Sequence, residues 1–124
     1  MARTVLIVDD SPTIRGFAKI FLKPLQVDVK EAEDGMQALE IVRANPPDVI
    51  VVDVNMPGMD GLAFTRELRS DQRAEIARLP IVLLTGDRSE QIRQNGREAG
   101  ASDLLEKPLK GAELLAMVKR FLAP

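Results

Sequence analysis

Val49-Ile50-Val51-Val52, running into Asp53, is an apolar stretch of β-branched residues, too short for a helix and without a polar face. Such a run suits a strand buried on both sides, as in a parallel sheet covered by helices. Val5 to Val8 before it and Ile81 to Leu84 after it have the same character. Two weaker segments complete the set. Val27-Asp28-Val29-Lys30 alternates apolar and charged residues, and in Asp103 to Glu106 only Leu104 and Leu105 are apolar. Both suit the edges of the same sheet.

Helical patterns fall between these strands. Ser11 is a good N-cap with Pro12 at the first helical position, and Ile14, Phe17, Ala18, Phe21 and Leu22 recur on one helical face up to Pro24. Met36, Leu39 and Val42 mark a second helix closed by Asn45-Pro46-Pro47. Leu62, Thr65 and Leu68 mark a third after Asp60-Gly61, and Leu114, Leu115, Val118, Phe121 and Leu122 make the last. The fourth helix, Ser89 to Glu98, has only Ile92 as a clear core residue and contains Gly96, so it is expected to be the least anchored. The chain thus reads as five strand-helix repeats in one α/β domain, without a linker or low-complexity segment. Strong runs at strands 1, 3 and 4 and weak ones at 2 and 5 suit the sheet order 2-1-3-4-5.

Composition removes several kinds of chemistry. None of the 124 residues is cysteine or histidine, so the chain supplies no disulfide, thiolate or imidazole ligand, and no phosphohistidine. The lack of cysteine fits a reducing compartment, and a cytoplasmic location is expected. No apolar run is long enough for a membrane span. Net charge is -2 with both signs interspersed, and the only aromatics are Phe17, Phe21, Phe64 and Phe121. There is neither a basic stripe nor a Tyr or Trp stacking platform for nucleic acid.

Ligands of an open parallel sheet bind beyond the carboxyl ends of its strands, where the strand order reverses. There the sequence places Asp9-Asp10 after strand 1, Asp53 after strand 3, Thr85 after strand 4 and Lys107 after strand 5. Each has a plainer reading alone: Asp10 as a helix N-cap, Thr85 as a turn residue, Lys107 as a solvated lysine. Together they point groups at one crevice. Carboxylates about 4 Å apart repel by about 4 kcal/mol per pair at an effective dielectric near 20, so such a cluster needs a hard cation, a buried ammonium, or both. Both together suit phosphoryl transfer. A divalent cation and Lys107 would neutralise the phosphoryl group, the Thr85 hydroxyl would donate a hydrogen bond, and Asp53, on the central strand, would attack. Asp9 and Asp10 are the expected metal ligands, with the Asn55 carbonyl as a further oxygen.

On these residues the whole chain resembles the receiver domain of two-component response regulators, a flavodoxin-like doubly wound fold with helices on both faces. Asp9-Asp10 match the family's acidic pair. Asp53, in Asp53-Val54-Asn55-Met56-Pro57-Gly58-Met59-Asp60-Gly61, matches the phosphoacceptor, Thr85 the switch hydroxyl, and Lys107-Pro108 the lysine with its usually cis bond. The resemblance implies that Asp10, Asp53 and the Asn55 carbonyl hold Mg2+, and that the phosphoryl group comes from the phosphohistidine of a histidine kinase or phosphotransfer protein. Gly86 matches the small residue that admits the donor, and Asn55 and Asp87 match positions that tune dephosphorylation. The face of the fourth helix, strand 5 and last helix is the implied docking surface for a downstream protein. Residues 1–124 are expected to form a single receiver domain with no output domain, of the chemotaxis type or a phosphorelay intermediate.

Leu104 departs from the family pattern, which often has Tyr or Phe three residues before the lysine; this puts the usual aromatic coupling to the threonine in doubt. A haloacid-dehalogenase-like Mg2+ phosphatase is the rival enzyme reading, but it expects an acid where this chain has Asn55. A flavodoxin-like cofactor carrier is disfavoured because Asp9-Asp10 would repel a phosphate in the first strand-helix loop.

Overall fold

The computed structural model describes residues 2–123. The three apolar runs form β1 (Thr4–Val8), β3 (Val49–Asp53) and β4 (Ile81–Thr85), and the weaker segments form β2 (Asp28–Ala32) and β5 (Asp103–Glu106). All pair in parallel in the order β2-β1-β3-β4-β5. Side chains alternate across each strand, so the two faces carry separate cores. Val5, Ile7, Val49, Val51, Val82 and Leu84 pack beneath α1 (Pro12–Leu22) and α6 (Gly111–Leu122). Leu6, Val8, Ile50, Val52, Ile81 and Leu83 pack against α2 (Gly35–Ala44), α3 (Gly61–Arg69), the four-residue α4 (Ala74–Ala77) and α5 (Glu90–Ala99).

Local rules set the helix starts. The Ser11 hydroxyl accepts from the Ile14 N–H at 3.3 Å, and Pro12 opens α1. Asp34 and Asp60 cap α2 and α3 in the same way, each accepting at 2.8 Å. Because Ser11 fills the cap, Asp10 is free of that role. Replacing Ser11 by alanine is expected to lower stability by about 1 kcal/mol in urea denaturation, with an unchanged m-value.

Several details differ from the sequence expectation, among them the exposure of Phe21 and Met36, which it placed on apolar helix faces. β2 is shifted to Asp28–Ala32 because its ladder partners run from Thr4 to Val8, and only Ala32 within it is fully buried. α4 lies between the third helix and β4, anchored by the buried Ile76; one turn is too short to show a period. Phe64, absent from the expected core positions of α3, is its largest fully buried side chain.

α5 buries no side chain larger than that of Ala99, and Ile92 is only partly buried, as its composition suggests. Gly96 and Ala99 are its buried residues, and a side chain at Gly96 would press on Leu83 Cδ1 at 3.0 Å. The missing side chain is what lets the helix approach the sheet. Its far end is tied by Arg69, whose guanidinium donates to the carbonyls of Gly100 at 2.8 Å and Ala77 at 3.0 Å. Among the described residues no helix is long and apolar enough to cross a membrane.

Candidate functional site

The carboxyl ends of β1 and β3 bring three acids together. One carboxylate oxygen from each of Asp9, Asp10 and Asp53 lies within 4.8 Å of the others. Asp9 is fully buried and Asp53 nearly so, whereas Asp10 is exposed. Lys107, arriving from the end of β5, crosses to both buried acids: its Nζ donates to Asp53 Oδ2 at 3.1 Å and lies 3.4 Å from Asp9 Oδ2. The Lys107 N–H donates to the Thr85 carbonyl at 2.7 Å, which fixes where the side chain departs, and the Lys107-Pro108 peptide is cis.

The loop after each strand holds the carboxylates from the other side. Asp9 Oδ1 accepts the Ser11 N–H at 2.9 Å, and Asp53 Oδ1 accepts the Asn55 N–H at 3.1 Å. Among the described residues, buried Asp9 Oδ2 has no hydrogen-bond partner, and the Lys107 ammonium at 3.4 Å is the near charge that compensates it. Burial raises the Asp9 carboxyl above its ordinary value; the Ser11 N–H and Lys107 work against that rise, and the charge of Asp53 adds to it. For Lys107, burial works to lower the ammonium. The hydrogen bond and charge of Asp53, with Asp9 behind it, outweigh burial and hold the group above its ordinary value.

A buried carboxylate oxygen without a hydrogen bond, on one of three acids whose oxygens converge, fits a divalent cation. One ammonium shared between two buried acids leaves a net negative charge for such an ion to meet.

The remaining sequence candidates are arranged differently. Thr85 is fully buried, and its hydroxyl is engaged by the loop, accepting the Asp87 N–H at 2.9 Å. Asp87 in turn accepts the Ser89 N–H at 2.8 Å; the Ser89 hydrogen bonds hold the Asp87 carboxyl below its ordinary value. Gly86, between them, has open space where a side chain would project. Leu104 pairs with Leu83 in the ladder and packs, half-buried, on the core beneath α5. Sequence reasoning missed Arg15, whose guanidinium donates to the Asp9 carbonyl at 2.7 Å and to Glu31 at 3.0 Å. On sequence alone it reads as one more charge on the solvent side of α1.

Comparison with known proteins is consistent along the chain. Residues 5–119 match the family model of the response regulator receiver domain. Among solved structures, the chemotaxis protein CheY4 of Vibrio cholerae is 35% identical, with a TM-score of 0.89 over 98% of this chain and 100% of that one. The signal receiver domain of a signal transduction histidine kinase from Syntrophus aciditrophicus is 34% identical, with a TM-score of 0.87 over 98% of this chain and 90% of that one. The receiver domain of Francisella response regulator 1452 is 31% identical, with a TM-score of 0.86 over 96% and 95% of the two chains.

Proposed function

The chain belongs to the response-regulator receiver domain family, and from that premise we propose that it is a switch set by Mg2+-dependent phosphorylation of Asp53. The observation that carries the reading is Lys107 bonded to Asp53 Oδ2 within a cluster of three carboxylates. Asp53 is the proposed acceptor because it sits on the central strand and is held at both oxygens, by the Asn55 N–H and by Lys107. Asp9, Asp10, Asp53 and the Asn55 carbonyl are the proposed holders of Mg2+, which when bound would neutralise charge on the phosphoryl oxygens.

In the proposed step an Asp53 carboxylate oxygen bonds to phosphorus while the P–N bond of a partner's phosphohistidine breaks, the imidazole leaving with the electron pair. With no histidine of its own, the chain depends on a histidine kinase or phosphotransfer protein for that donor. Lys107 is positioned to follow charge from Asp53 to the new phosphoryl group. Thr85 is proposed to exchange its hydrogen bond with Asp87 for one to that group, which would loosen the loop through Gly86 into α5. Output is proposed to run through the face of α5, β5 and α6, where Arg88 and Arg93 both pair with Glu106 at 3.2 Å. The half-buried Leu104 gives this chain no rotating ring there. Return of the phosphoryl group to a phosphotransfer protein is the second reading; a relative of this chain is the receiver domain of a histidine kinase.

Acetyl phosphate with Mg2+ is expected to add one phosphoryl group, seen by intact mass, and chelation of Mg2+ is expected to prevent it. No adduct under conditions that label another receiver domain would reject the proposal. Beryllofluoride with Mg2+ is expected to raise the melting temperature, by about 2.7 kcal/mol of stability at a hundredfold excess over Kd.

A further inference from the structure

Arg15 grips the main chain of the acidic pair. Its side chain, 15% exposed, donates from Nη1 to the Asp9 carbonyl at 2.7 Å and from Nε to Glu31 Oε1 at 3.0 Å. Glu31 stands on β2 opposite Ile7 of β1, and its other oxygen meets Lys19 Nζ at 3.4 Å. Burial pushes the Glu31 carboxyl up, but the bonds from Arg15 and Lys19 outweigh it and hold the group below its ordinary value, so it stays an anion. The guanidinium is therefore a fixed fork: one prong is anchored on the sheet edge and the other closes on the loop.

What the fork holds is the peptide unit joining Asp9 to Asp10. The Asp9 N–H already donates to the Ala32 carbonyl at 3.1 Å, and Arg15 takes the carbonyl on the other side of the same residue. A peptide unit is planar, so fixing that carbonyl oxygen also fixes the direction in which the Asp10 Cα leaves. Asp10 needs this external hold. It is exposed, and among the described residues no side-chain hydrogen bond orients its carboxylate, in contrast to Asp9 and Asp53.

Resting on the reading of the site given above, we propose that Arg15, clamped by Glu31, is a positioning residue. It sets the Asp9-Asp10 peptide and thereby the affinity of the acidic cluster for Mg2+, without touching the ion. Lysine at position 15 reaches one acceptor but lacks the planar fork that serves two at once.

The test measures Mg2+ affinity from the Mg2+-dependent rise in melting temperature, followed by circular dichroism, for wild type, Arg15→Met, Arg15→Lys and Glu31→Gln. Arg15→Met is expected to weaken Mg2+ binding by about tenfold, with Arg15→Lys and Glu31→Gln in between. In labelling with acetyl phosphate, the Arg15→Met defect is expected at low Mg2+ and to be overcome as Mg2+ rises, which general loosening of the fold would not produce. Wild-type affinity in Arg15→Met would overturn the proposal. So would a labelling defect that no Mg2+ concentration relieves. Should Arg15→Met fail to fold, unchanged affinity in both Arg15→Lys and Glu31→Gln overturns it equally. Absence of any Mg2+ response in the wild-type chain would overturn the reading of the site and this proposal with it, whereas a wild-type response shared by all variants removes the proposal alone.

Discussion

Asp53→Asn protein is expected to take up no phosphoryl group from acetyl phosphate and Mg2+ while keeping its fold. The substitution removes the proposed anionic nucleophile but keeps size and shape. One amide oxygen remains as acceptor for either the Asn55 N–H or Lys107, which the carboxylate now serves with separate oxygens. Loss of that bond is opposed by relief of repulsion within the acidic cluster, so the net change in stability is expected to be within about 1 kcal/mol. Lys107 retains Asp9 at 3.4 Å and is not stranded. The variant therefore separates chemistry from folding: intact mass reports the first, urea denaturation the second. Labelling equal to wild type would move the acceptor elsewhere. Asp9 is an unfavourable substitute because it is fully buried.

Gly61→Ala is expected to lose about 3 kcal/mol of stability, at the upper end for overpacking, and with it about 10 °C of melting temperature. The reason is an approach of main chain to main chain. A Cβ at Gly61 would overlap the Asp53 carbonyl oxygen and come within 3.0 Å of the Asp53 carbonyl carbon and Val54 Cα. These atoms cannot swing aside as a side chain would. Val54 is bonded on both sides, its N–H to the Leu84 carbonyl at 2.8 Å and its carbonyl to the Gly61 N–H at 3.0 Å. Any relaxation must shift the end of β3, and Asp53 with it, so labelling is expected to fall as well. Gly16→Ala is the control. Nothing lies within 4 Å of its added Cβ in the middle of α1, and it is expected to gain up to about 1 kcal/mol. If both variants melt alike, the steric argument for Gly61 fails.

The contrast between these glycines shows where sequence reasoning stops. Gly61 follows Asp60 and reads as part of a turn, and the Asp60 cap on the Ala63 N–H is local enough to be expected. That β3 passes within contact of the start of α3 is a distance between elements, and no residue pattern encodes it. Gly96 is a second case: it reads as a weak helix former in α5, yet an added Cβ there would come to 3.0 Å from Leu83 Cδ1.

The sequence by itself determined the strands and most of the helices, because β-branched runs, side-chain caps and a helical apolar period act over a few residues. It also placed Asp9, Asp10, Asp53, Thr85 and Lys107 at the ends of strands, and a parallel sheet gathers strand ends on one side. The tertiary structure alone decided how that set is wired. It gave Lys107 to Asp53 and Asp9, turned the Thr85 hydroxyl to Asp87, left Asp9 Oδ2 without a hydrogen bond, and put Arg15 on the carbonyl between the acids. Hydrogen bonds form only within about 3 Å, and a spacing such as the 54 residues from Asp53 to Lys107 becomes that short only when β3, β4 and β5 are in register.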